Sequence, residues 1–154
     1  MSPEGKGVLD ETDKRIIEQL QQDGRRPYTQ IGPAVGLSEA AVRQRVQRLI
    51  DSGVMQIVGV TDPKMLGFGR QAMIGLTVEG DTRTIADAVA ALDEVVYVVL
   101  TAGSLDVLVE VVVEDDEHLL DLLNNKIRSI DGVRDTQTFM YLRIHKETYA
   151  WGAP

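Results

Sequence analysis

Between Ser38 and Gly53 the chain spaces arginine and glutamine side chains so that a helix would carry them on one side. At about 100° per residue, Ala40, Gln44 and Gln47 share a face, with Arg43 and Arg48 along its edges and Arg45 nearer the opposite side. These groups suit the edges and phosphates of a nucleic-acid duplex. A glutamine amide pairs bidentately with adenine, a guanidinium forks onto guanine or phosphate, and a small Ala40 near the helix start permits close approach. An ordinary solvated helix face has a similar composition, so the weight falls on the elements that position these residues.

Those elements are specified at both ends. Thr29 is placed to cap a short helix through Val35, Gly36 supplies permissive backbone after it, and Ser38 caps a second helix running to about Ser52, with Gly53 as its stop. Val42, Val46 and Leu49 recur at i, i+4, i+7 and form its core stripe. Two helices around a Gly-Leu-Ser turn predict a helix-turn-helix, and double-stranded DNA as partner. With Thr29 as cap, Pro33 falls at about the fourth helical position, which predicts a shortened or shifted first helix. Ile31, Val35 and Leu37 remain to pack the second one. Upstream, Asp10 and Asp13 open a helix with Ile16, Ile17 and Leu20 on its apolar side, ending near Gly24, and residues before Leu9 read as a loose arm. Downstream, the β-branched run Val54 to Val60 predicts a strand, a wing to the helix-turn-helix.

Charge is partitioned along the chain. The net charge is -8, yet residues 1–60 hold eight Lys/Arg against eight Asp/Glu, and residues 61–154 hold eight against sixteen. Residues 24–50 carry five arginines and the single acid Glu39, a local net of +4. A basic patch on an acidic chain steers a polyanion to one place.

Asp62-Pro63-Lys64, followed by Gly67 and Gly69, breaks the pattern and marks a linker over 61–69, between a DNA-binding domain at 1–60 and a second domain at 70–154. The second domain alternates: a strand from Arg70 to Val78, a helix from Thr82 to Ala91, strands from Val95 to Thr101 and Asp106 to Glu114, a helix from Asp115 to Ser129, and a strand from Val133 to His145. This βαββαβ order is ferredoxin-like, with helices covering one face of an antiparallel sheet. The fold class is therefore α+β. Because Val95 to Leu100 is apolar on both sides, the other face is expected to be buried in a second subunit.

The chain has no cysteine, no apolar run of bilayer length and no signal peptide after Met1-Ser2-Pro3, which points to a cytoplasmic setting without membrane attachment. No spacing suggests a metal or cofactor site. The acidic run Glu114 to Glu117 complements the positive end of the helix it starts.

Leu9-Asp10 with Asp13 and Ile16-Ile17, then Val35-Gly36-Leu37-Ser38 with Val42, Arg45-Val46 and Leu49, then Gly53-Val54 through Asp62-Pro63 with Leu66-Gly67, and finally the turn Gly103-Ser104-Leu105-Asp106, follow in an order that resembles the Lrp/AsnC family of transcription regulators over nearly the whole length. The resemblance implies a winged helix-turn-helix joined to a module for regulation of amino-acid metabolism (RAM). It also implies a homodimer assembling further, often to an octamer, with an amino-acid effector bound between dimers. For the effector, Gly103, Ser104, Leu105 and Asp106 are the candidate residues. Backbone N–H groups of a Gly-containing turn can receive a carboxylate, and Asp106 can pair with an ammonium. The same residues also suit a plain hairpin turn capped by Asp106. By family analogy Thr136 and Thr138, on one face of the last strand, reach the same pocket. Leu105 stands where the family often has an aromatic residue, and Gly32-Pro33 where relatives have an alanine-rich turn.

The rival class is an enzyme similar to the siroheme decarboxylases, which combine the same two domain types. It would need groups that grip tetrapyrrole carboxylates and supply protons. The chain's two histidines, His118 and His145, are placed to lie on the surface and apart.

Overall fold

The computed structural model describes residues 9–154, so the arm expected before Leu9 lies outside the described residues. The chain divides into two compact units, one of residues up to Val60 together with Lys146–Pro154, the other Thr61–His145.

In the first unit, α1 (Glu11–Gln22), α2 (Tyr28–Val35) and α3 (Glu39–Asp51) pack around Ile16, Ile17, Leu20, Ile31, Val35, Val42, Val46 and Leu49. Asp10 caps α1 in a reciprocal capping box with Asp13, which satisfies backbone N–H groups the helix leaves unpaired. The first helix of the turn motif differs from expectation. It starts at Tyr28 after Pro27, so Thr29 lies inside the first turn and Pro33 sits within the helix rather than near its start. Pro33 has no N–H to return to the turn below, and the helix stops one turn later at Gly36, whose φ of 74° is left-handed. Gly32 has a separate reason. A Cβ there would lie 2.5 Å from the Leu37 carbonyl oxygen, so only glycine lets the α2 backbone approach the turn this closely.

No strand forms over Val54–Val60 within the chain. A strand needs a neighbour for its backbone groups. Here Val54 and Met55 instead donate to the Leu49 carbonyl at the end of α3, while Ile57, Val58 and Val60 are exposed. The final nine residues also depart from the expected boundary of 70–154. Gln21 and Gly152 exchange side-chain and backbone hydrogen bonds at 2.9 and 3.1 Å, and Ala153 packs on the helical core. Trp151, close by, remains exposed.

The second unit opens with a 3-10 turn, Pro63–Leu66, capped by Asp62. The expected linker over 61–69 is thus ordered here, and Gly69 donates to the Glu114 carbonyl at 2.9 Å. The elements β1 (Arg70–Val78), α4 (Thr82–Ala90), β2 (Val95–Leu100), β3 (Val107–Val113), α5 (Asp116–Asp121) and β4 (Val133–Met140) give an antiparallel sheet in the order β2-β3-β1-β4. Ala72, Ile74, Leu76 and the buried valines of β3 pack on Ile85, Val89, Leu119, Leu122 and Ile127. The last helix departs from a plain α-helix: α5 runs on into a π-helical stretch, Leu122–Ile127. With i→i+5 bonding, residues five apart fall on nearly the same side, so Leu122 and Ile127 both enter the core. Asp115 caps α5, and Asp116 pairs with Arg70 at 2.6 Å, so the acidic run is taken up locally.

The widened helix places Lys126 on the buried carboxylate of Glu94, which His118 also meets at 3.1 Å. Burial pushes this carboxyl up, but Lys126, the Glu94 backbone N–H and His118 outweigh it and hold the pKa at about 2, down from 4.5. The folded value lies below the unfolded one, so the charge stabilises the unit above about pH 4.5, and that contribution is lost as pH falls toward 2. Glu94→Gln should lower stability at pH 7 by about 1–3 kcal/mol and flatten the acid limb between those values, as measured by urea unfolding across pH. A limb as steep as that of the wild type would show that other carboxylates govern it. Gly32→Ala should cost about 1–3 kcal/mol through overpacking against the turn, read as a lower melting temperature of the helical unit.

Candidate nucleic-acid interface

The second helix of the motif is built to hold one face out. The Ser38 hydroxyl accepts the Ala41 N–H at 3.2 Å, Leu37 N–H donates to the Gly32 carbonyl, and the Val42, Val46 and Leu49 side chains are buried against α1 and α2. Helical geometry then turns the opposite residues to solvent. Ala40, Arg43, Gln44, Gln47 and Arg48 are exposed and, with Asp51 and Ser52, line one open concavity along α3.

Individual side chains differ in how free they are. Gln44 has no side-chain partner among the described residues, so its amide is available to a base edge. Gln47 donates to Asp51 at 2.8 Å. Arg43 pairs with Glu39 one turn back at 2.8 Å, and its guanidinium carbon lies 5.2 Å from the centre of the Tyr28 ring. Exposed pairs of this kind contribute about 0–1 kcal/mol, so phosphate can replace the carboxylate at little cost. Ser38 acts as the cap at the edge of this surface. Arg45, counted among the groove-facing residues from the sequence, is turned the other way: its guanidinium bonds Asp10 at 2.7 Å and Asp13 at 2.8 Å. These carboxylates raise its pKa further, and Arg45 together with its backbone hydrogen bonds lowers that of Asp10.

Sequence reasoning did not assign Asp13 or Tyr28 to this surface. Asp13 was legible only as a helix-start acid, because its reach to α3 depends on how the two helices cross.

The residues expected to bind a small molecule are not gathered in one place. Gly103 and Ser104 form an exposed turn, where a Cβ on Gly103 would meet open space. Leu105 folds over Gly75, on the sheet face that carries no helix. Asp106 is partly engaged as a cap: its Oδ2 accepts the Val78 N–H at 2.8 Å, while its backbone bridges to Leu76 and Thr101. Its Oδ1 has no hydrogen-bond partner among the described residues. Thr136 and Thr138 lie opposite Leu76 and Ile74, which are buried under the helices, so both threonines face the helical side. One chain therefore puts Leu105 and the two threonines on opposite faces of its sheet. Thr136 instead accepts from Arg128 Nε at 3.0 Å, in a shallow recess with Val133, Arg134 and Asp135. For the rival enzymatic reading, His118 is occupied by Glu94, and no cluster of metal-ligating side chains occurs among the described residues.

The helical segment 9–50 matches the AsnC-type helix-turn-helix domain, and residues 71–151 match the Lrp/AsnC ligand binding domain. The chain is 37% identical over 145 residues to the HTH-type transcriptional regulator FL11 of Pyrococcus furiosus, covering 93% of this chain and 95% of that protein. It is 34% identical over 132 residues to the HTH-type transcriptional regulator LrpA of Pyrococcus horikoshii, covering 82% and 91%. Among solved structures, E. coli AsnC superposes with a TM-score of 0.81 at 25% identity, covering 92% of this chain and 97% of that one. A Neisseria meningitidis transcriptional regulator in complex with L-Met superposes at 0.82 and 27% identity, covering 93% and 96%. The capped turn, the outward polar face of α3, the βαββαβ unit and these matches agree: the chain belongs to the Lrp/AsnC family of DNA-binding transcriptional regulators.

Proposed function

We propose that this regulator grips duplex DNA with the exposed face of α3, Gln44 and Gln47 meeting base edges and Arg43 and Arg48 meeting phosphate, with Ala40 and the Ser38 cap at the helix N-terminal entry. The observation that carries this reading is the open surface on which those side chains lie together, opposite a sealed apolar seam. Arg45 is left out of the contacting set.

The working unit is a homodimer that assembles further, to an octamer. Two features support it. Tyr97 and Phe139 are exposed on the sheet face without helices, and Ile57, Val58 and Val60 form an apolar, β-branched segment with unpaired backbone. Two reader helices about 34 Å apart would then address successive turns of one duplex and favour a palindromic site. The effector is an amino acid, received at Gly103 to Asp106 by turn N–H groups and the free Asp106 oxygen. Thr136 and Thr138 can complete that pocket only from another subunit, since within one chain they face the other way. The L-Met bound to the meningococcal neighbour supports this ligand class. Effector binding between dimers would alter their packing, and a coupling of about 1–3 kcal/mol is enough for regulation.

Replacing Arg43 and Arg48 together with alanine should weaken duplex binding and make its log–log salt dependence shallower by about 0.9 per lost phosphate contact, with oligomer mass unchanged. Unaltered binding would remove α3 from the interface. Asp106→Asn keeps an acceptor for Val78 while removing the charge. It should abolish the change in oligomer mass or DNA footprint produced by a panel of free L-amino acids, and a fully responsive variant would place the pocket elsewhere.

A further inference from the structure

Asp13 is an acid within the helical core of the first unit, only 3% exposed. It is fully engaged from α3. Its Oδ1 accepts Arg45 Nη1 at 2.8 Å and Arg48 Nη2 at 2.7 Å, and its Oδ2 accepts the same Arg48 nitrogen at 2.8 Å and the Asp10 N–H at 3.3 Å. Asp10 closes the ring, taking Arg45 Nη1 on one oxygen at 2.7 Å and the Asp13 N–H on the other at 2.7 Å. Two cations and two anions thus compensate one another between α1 and α3.

The two arginines are held differently. Arg45 is mostly covered, with 27% of its side chain exposed, and it touches both acids. Arg48 is 60% exposed and spends one terminal nitrogen on Asp13. Its Nη1 and Nε have no partner among the described residues, and it lines the concavity that also holds Gln44 and Gln47. A carboxylate that takes a single nitrogen leaves the rest of the guanidinium able to receive a second anion.

We propose that Asp13 is a positioning residue for DNA recognition: it tethers Arg48 by one nitrogen so that the remaining guanidinium edge stands ready as a phosphate anchor. The proposal rests on the reading of α3 as the DNA-contacting helix. An untethered arginine surrenders rotamer freedom when it closes on phosphate, whereas one already held surrenders less. Because Asp13 is buried, it cannot follow Arg48 outward, so the anchor point is set by the helix crossing.

The test is a double-mutant cycle on the full chain, with a 30-base-pair duplex of random sequence as probe, fluorescence anisotropy over a range of salt, and melting temperatures in parallel. Asp13→Asn should weaken binding about five- to tenfold when Arg48 is present and less than about twofold in an Arg48→Ala background. Its salt slope should stay that of the wild type, since Arg48 still reaches phosphate. Arg48→Lys, which keeps the charge but cannot bridge carboxylate and phosphate with separate nitrogens of one plane, should bind as weakly as Asp13→Asn. It also covers the case in which Asp13→Asn does not fold. An equal loss from Asp13→Asn with and without Arg48, tighter binding by Asp13→Asn, or wild-type binding by Arg48→Lys would each overturn the proposal. A wild-type chain that ignores the duplex at low salt, or an Arg48→Ala variant that binds as the wild type does, would overturn it differently, by removing the DNA contact itself.

Discussion

The seam of Val42, Val46 and Leu49 along α3 is the constraint from which the exposed polar face of that helix follows. Burying those side chains against Ile16, Ile17, Leu20, Ile31 and Val35 fixes the rotation of α3 about its own axis. Once that rotation is fixed, Ala40, Gln44 and Gln47 have nowhere to go but outward. The turn that delivers α3 is equally constrained. Gly36 supplies the left-handed residue, Ser38 the cap, and Gly32 the room for the Leu37 carbonyl to come close. A helix-turn-helix thus reads as a packing problem whose solution leaves a polar face over.

Charge is managed around that face rather than massed on it. A simple count gives residues 24–50 a net of +4, but neighbours outside that window already hold two of the arginines. Asp10 and Asp13 take up Arg45 and part of Arg48, leaving Arg43, in an exposed pair with Glu39, as the more readily exchanged cation. Exposed pairs are weak and yield to phosphate, while contacts to a nearly buried carboxylate persist. Fewer mobile cations also limit the non-specific attraction that any basic helix has for any polyanion.

The second unit obeys a different rule, the strict alternation of strands. Ile74 and Leu76 lie under the helices, so Gly75 between them faces the uncovered side and admits Leu105. The same alternation sends Thr136 and Thr138 to the helical side, away from the Gly103 turn. Unpaired backbone over 56–60 and an uncovered sheet face are features a single chain leaves unfinished.

How much of this was legible in the residues depends on the range of the interaction. The α3 seam, the Ser38 and Asp10 caps, the β1 bounds and the βαββαβ order all arise from contacts within a few residues or from strict periodicity, so composition and spacing alone determined them. Tertiary structure decided the rest. Arg45 turned inward because Asp10 and Asp13 lie more than thirty positions upstream. Pro33 came to lie inside α2 because that helix starts at Tyr28, and Val54–Val60 formed no strand, with Val54 and Met55 instead turned back onto the Leu49 carbonyl. The helix after Asp115 widened into a π-turn that brings Leu122 and Ile127 into one core and Lys126 to Glu94. A linear sequence encodes which groups seek partners; which partner each one meets is set when distant segments are brought together.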